Sequence, residues 1–166
     1  AHEIQQAAKA EKSLAKVFDR IPFGMPEEPT PKGGSGASRA FSVDGYGFDQ
    51  WKKLFTPRQL LALGTFVKWM RETKGELEGL CYSSEWIEAV MVYLALQNDK
   101  VADYNSQVCM WHISRELIGH TFTRFALPIT WDFVEVAVTN DVGGAYSAQL
   151  DWLSRYIDHA LVAGTD

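Results

Sequence analysis

The sequence predicts an all-α, multi-helix domain with an N-terminal amphipathic helix and a long Pro/Gly-rich connector. Three observations carry that class. Apolar side chains recur at helical spacing in four separate stretches. One of those stretches opens with a complete helix-start signal, Thr56-Pro57-Arg58-Gln59. Pro22, Pro26, Pro29 and Pro31 are gathered into one segment, so the other stretches are nearly free of helix breakers. The expected organisation is an N-terminal helix over 1–21, a connector over 22–48 and a helical domain over 49–163.

In residues 3–21, Ile4, Ala7, Ala8, Leu14, Phe18 and Ile21 lie on one helical face with charges between them. One thin stripe cannot make a core, so this helix reads as an arm or a docking element. The connector, IPFGMPEEPTPKGGSGASRAFSVDGYG, excludes regular helix. It suits wrapping a surface, joining two subdomains or linking them. Its GGSGAS is not followed by Gly-Lys-Ser/Thr and no strand leads into it, so a phosphate loop is not indicated.

Thr56 is placed to cap the next helix, Pro57 occupies N1, where a missing N–H costs nothing, and Gln59 falls at N3. Leu60, Leu63, Val67 and Met70 then repeat at helical spacing, and Lys74-Gly75 reads as a stop. Ser83 or Ser84 caps a further helix. Every residue from Ala89 to Leu96 is apolar or aromatic, which predicts a central helix covered on most sides. Its second half turns polar at Gln97, Asn98, Asp99, Asp103 and Asn105, as on approach to a surface or cleft. Ser114 is expected to cap a short helix ending at Gly119, and VEVAV to run extended. Residues 145–162 close the chain as a helix, with Tyr146, Leu150, Leu153, Ile157 and Leu161 on one face and an Asp151–Arg155 pair.

The formal charge of −5 argues against coating nucleic acid by charge alone. Lys52, Lys53, Arg58, Lys68 and Arg71 nevertheless form a local basic group. Two cysteines imply no disulfide framework, so a reducing, cytoplasmic setting is expected. No run reaches the roughly 18 apolar residues of a membrane span, and no signal-peptide pattern is visible. The absence of a starting methionine suits a piece of something longer, and equally a processed start.

Cys109-Met-Trp-His112, with Cys81 and His120, offers one short-spaced metal pair where structural zinc takes two, so no metal is expected. A triad of Ser114, His112 or His120, and Asp132 lacks a nucleophile-elbow sequence. The group Asp103, Tyr104, Asn105, Trp111, Arg115, Thr121, Arg124 and Trp131 mixes amide, guanidinium and aromatic chemistry suited to base edges, stacked bases and phosphates. It equally suits a helix end, ion pairs and a core.

Three stretches carry a family resemblance: RIPFGMPEEPTPKG, YGFDQWKKLFTPRQLLALGTFVKWMRE and KVADYNSQVCMWHISRELIGHTFTRFALPITWDFVEV. They resemble the middle of the large prokaryotic adenine-specific DNA methylases that carry a Zn-ribbon, whose pattern runs LFTPRQLLAL, LADYNS…CRW and TFGRQALPMVWDF. The resemblance covers about residues 20–138. Met110 stands where that pattern has arginine, and Thr123-Arg124-Phe125 where it has Gly-Arg-Gln. Val138-Thr139-Asn140-Asp141 follows where relatives continue NPF.

The resemblance implies S-adenosylmethionine-dependent methylation of adenine N6 in double-stranded DNA by a longer parent protein. That chemistry needs a Gly-rich cofactor turn and an Asp/Asn-Pro-Pro-Tyr motif around the flipped base. Neither occurs in this chain, nor does a Cys-rich ribbon. The chain is therefore expected to be a non-catalytic helical insert without a cofactor of its own. Its candidate contacts to DNA or to the catalytic domain are Arg58, Gln59, Asn105, Trp111, Arg115, Arg124 and Trp131. The alternative is a protein–protein module, self-associating or docking another subunit, without nucleic-acid contact.

Overall fold

The computed structural model describes residues 2–114, 116–122 and 125–163. Four α-helices dominate: α1 (His2–Phe18), α2 (Pro57–Gly79), α3 (Ser84–Asp103) and α4 (Tyr146–Ala163). The described strands are the two-residue pair β1 (Trp111–His112) and β2 (Leu117–Ile118). The fold is thus largely α.

Helix α2 forms where the local signal is strongest. Gln59 N–H donates to Thr56 Oγ1 at 3.2 Å, and Thr56 N–H donates to Gln59 Oε1 at 2.8 Å, so both halves of the capping box are present. Removing the hydroxyl in Thr56→Ala is expected to cost about 1 kcal/mol, read as a lower thermal midpoint. The helix does not stop at Lys74-Gly75 but runs on to Gly79. A single exposed glycine costs a helix only about 1 kcal/mol, which the following turn outweighs. Ser83 caps α3, accepting from Trp86 N–H at 3.3 Å.

The helices pack in chain order, α1 on α2, α2 on α3 and α3 on α4. Tyr146, at the start of α4, also reaches Phe66 of α2, ring to ring at 4.4 Å. The row is open rather than closed into a bundle, and it leaves outward faces. Val92, Leu96, Trp152 and Tyr156 are each exposed by about half or more. Helix α3 is therefore not covered on most sides as its composition suggests. Among its residues only Ile87, Gln97 and Val101 are buried.

Helix α1 is not a free arm: it buries Ala10, Leu14 and Phe18. Leu14 and Phe18 join Leu60 in one apolar cluster. Gly64 makes this approach possible, since a methyl there would stand 2.8 Å from the Phe18 ring. The connector is not a linker either. It pairs with the segments around Gln50 and Leu127, with short 3₁₀ turns at Gly36–Ala40 and Val43–Tyr46, and a third turn, Trp51–Leu54, follows it. Thr30 is buried and donates to Phe48 O at 2.6 Å, while Leu127 N–H donates to Ala40 O at 2.8 Å. These bonds satisfy backbone groups that no helix provides for. Val43, Leu54, Val108 and Leu127 form the second apolar cluster, ringed by Phe41, Phe48, Trp51 and Phe55.

Among the described residues, no helix forms between Ser114 and Gly119. Trp111 instead faces Ile118, and His112 faces Leu117, in an antiparallel pair. Glu116 takes a φ of 50° beside the turn, a conformation a continuing helix cannot use. The VEVAV stretch forms no strand, though Val134 N–H donates to Cys109 O at 3.0 Å.

Candidate functional site

The polar end of α3 and the residues after β2 tie into one knot. Asp103 is the last residue of α3, and its backbone carbonyl accepts from Thr121 N–H at 2.7 Å and from Thr121 Oγ1–H at 2.8 Å. Its carboxylate takes His120 Nδ1 at 2.6 Å through one oxygen and Phe122 N–H at 2.9 Å through the other. Lys100 Nζ lies 3.7 Å from the His120-bound oxygen. Ser106 Oγ and Thr121 Oγ1 are 2.8 Å apart, and Cys109 Sγ lies 3.3 Å from Thr121 Oγ1. Buried hydroxyls and a buried thiol need partners, and here they find them in one another and in nearby backbone groups.

Tyr104 packs against the His120 ring, with centroids 4.3 Å apart and planes tilted by 42°. Burial pushes its phenol above the ordinary tyrosine range, and the Asp103 charge adds to that. His120 stands between two recesses. The first, of about 580 Å³, is bordered by Trp111, Glu116, Ile118, Glu135 and Trp152. The second, of about 470 Å³, is bordered by Arg39, Ser42, Met110, His112, Gly119 and Thr130.

Arg58 and Glu135 form the other organised polar feature. The guanidinium bonds the carboxylate through Nε at 3.1 Å and Nη2 at 2.5 Å, and Thr56 Oγ1 donates to the same carboxylate at 3.3 Å. The bond to Glu135, and then its charge, hold Arg58 protonated even more firmly than an ordinary arginine. At its partial exposure such a pair contributes about 1 kcal/mol or less. Its role is geometric: it pins the 131–138 segment to the start of α2.

Among the described residues, the candidates named from sequence do not converge on one surface. Gln59 is buried and occupied in the cap, and Asn105 is fully buried. Both amides are therefore turned inward rather than presented at the surface. Asn105 Nδ2 donates to Val101 O at 2.8 Å and to Gly144 O at 3.2 Å, joining the end of α3 to the approach to α4. Arg58 is half-exposed but already paired. Trp111 is half-exposed on β1. Trp131 is 79% exposed and meets Tyr46 edge-to-face at 5.6 Å. Arg115 and Arg124 lie outside the described residues.

For the zinc and triad alternatives, Cys109 Sγ is enclosed by Ser106 and Thr121, while Cys81 is exposed at the turn between α2 and α3. Among the described residues, no group of three or more His, Cys, Asp or Glu is placed to hold a metal. The carboxylate on His120 is Asp103 rather than Asp132. No helix of the described residues is long and apolar enough to cross a membrane.

Sequence reading missed Glu135 and the pairing of Asp103 with His120. The only signal for either was chemical type, since the partners are far apart along the chain. The chain matches no family model, no curated protein and no solved structure.

Proposed function

We propose that this chain is a non-catalytic, mainly helical module of a longer, cytoplasmic S-adenosylmethionine-dependent adenine-specific DNA methyltransferase. It supports the catalytic domain chiefly by packing against it. The reading joins the resemblance of residues 20–138 to one structural observation: the outward faces of α3 and α4 carry Val92, Leu96, Trp152 and Tyr156 in the open. Large exposed apolar groups on adjacent helices suit an interface core more than a free surface. Such a module brings no cofactor of its own and adds weak, salt-sensitive contacts to the duplex DNA held by the parent protein's cleft.

A double substitution separates this from a passive surface. Val92→Lys with Leu96→Lys is expected to leave the isolated chain within about 0.5 kcal/mol of its stability, because both side chains already face water. In the full-length methyltransferase the same change is expected to lower methylation about tenfold or more, by uncovering the catalytic domain's matching surface. Unchanged methylation, with the parent's thermal midpoint also unchanged, removes the packing role.

The net charge of −5 and the burial of Gln59 and Asn105 favour a second reading, a protein–protein module without nucleic-acid contact. Duplex DNA titrated into the chain at low salt separates the two. Salt-sensitive binding supports a DNA-supporting domain, and its absence supports the protein-only module.

A further inference from the structure

The second recess beside His120 has a composition at odds with the chain as a whole. In a protein of formal charge −5, the ionisable groups among the described residues lining it are Arg39, His112 and His120, with no aspartate or glutamate among them. We propose that this recess, between the 39–42 segment and the β1–β2 pair, binds a phosphoryl group.

Arg39 is exposed and makes no ion pair or hydrogen bond with another described residue. His112 is likewise exposed, with neither ring nitrogen engaged. Both are therefore free to donate to a guest. His120 is held differently. Its Nδ1 is taken by Asp103, whose other oxygen is fixed by Phe122 N–H, so the ring's orientation is set and Nε2 remains for a ligand. That contact fixes which ring nitrogen faces the protein and which faces the recess. Lys100 on Asp103 and Tyr104 on the ring complete the described charged and titratable contacts of this pair.

The hydroxyls around the recess are already committed. Ser42 Oγ accepts from Ile129 N–H, and Thr130 donates to Val108 O. They shape the walls, and recognition falls to the three nitrogen bases. A planar guanidinium with two imidazole rings around one pocket suits a tetrahedral oxyanion better than a neutral guest.

Gly119 gives the recess its depth. A methyl at this position would stand 2.8 Å from His112 Nε2 and 3.1 Å from Met110 Cγ, pushing the imidazole off the floor.

The site stands independently of the methyltransferase reading, because its test measures binding and not methylation. Inorganic phosphate titrated into the full chain, followed by calorimetry and by ³¹P line broadening, is expected to saturate below about 10 mM. Arg39→Ala and His112→Gln are each expected to weaken it about tenfold. Arg39→Lys should recover part of the loss, and Arg71→Ala, in α2 and not among the lining residues, should change nothing. Both site residues are exposed, so these variants should keep the parent's circular dichroism and thermal midpoint.

Competition distinguishes the source of the phosphoryl group. A short oligothymidylate displaced by phosphate, and weakened by the same two variants, identifies a nucleic-acid backbone. A nucleoside monophosphate that binds where the oligonucleotide does not identifies a free phosphate ester. Absence of saturable phosphate binding, or binding that Arg39→Ala and His112→Gln leave intact, overturns the proposal.

Discussion

Leu54→Ala is expected to lower the unfolding free energy by about 3 kcal/mol, read from urea or thermal denaturation. Leu54 is fully buried at the end of the Trp51–Leu54 turn. Its cluster mates come from three distant parts of the chain: Val43 from the connector, Val108 from beyond α3, and Leu127 from beyond β2. The backbone is anchored there as well, since Gln107 N–H donates to Leu54 O at 2.7 Å and Gln107 Nε2 to Lys53 O at 3.0 Å. With hydrogen-bonded segments holding the surrounding backbone, the site has little freedom to collapse around a lost isobutyl group. The cost should therefore include the cavity as well as the transfer term. Leu96→Ala, on the exposed face of α3, is the matched control and should stay within about 0.5 kcal/mol. Equal effects of the two substitutions would mean that the cluster of Val43, Leu54, Val108 and Leu127 is loosely packed and not part of the core.

What could be read from the sequence follows the range of the interaction that decides it. The start of α2 was legible because Thr56, Pro57 and Gln59 settle it within four residues. The Asp151–Arg155 pair was legible for the same reason, and closes at 2.7 Å along one turn. The burial of α3 was not. An apolar run from Ala89 to Leu96 fixes a helix, but it does not say that its neighbours reach only one side. The β1–β2 pair was hidden because two-residue strands show no alternation to count. At the site, sequence separated polar from apolar groups without showing which polar groups face inward. Asp103 and His120, Arg58 and Glu135, Asn105 and Gly144 each meet through tertiary packing. Their chemistry reads the same in a core knot as on a binding surface.

Asn105 is where those two readings differ most in consequence. As a reader of base edges it would be dispensable for folding; as the structure places it, it is a buried clasp. Asn105→Ala removes the donor to two carbonyls, Val101 O and Gly144 O, inside a site without solvent access. The expected loss is about 2–3 kcal/mol, the cost of leaving buried acceptors unpaired. The N105D variant separates the causes further. It keeps the shape but replaces the donor by a carboxyl whose ionised form would face two carbonyl oxygens without water. Burial must raise that carboxyl's folded pKa above its unfolded value of about 3.9, so the folded state holds the proton longer than the unfolded chain. Stability then falls as pH rises from about 4 until the folded carboxyl itself ionises. At pH 7, N105D should thus be less stable than N105A, and near pH 3 it should regain much of the difference by donating to one carbonyl. A denaturation series from pH 3 to 7, with both variants measured relative to the parent chain, reads this directly. A pH-independent gap between N105D and N105A would mean that position 105 is open to water, restoring Asn105 as a contact residue. A gap that opens with pH fixes it as the joint between the end of α3 and the turn into α4, on which the placement of Tyr104, His120 and both recesses depends.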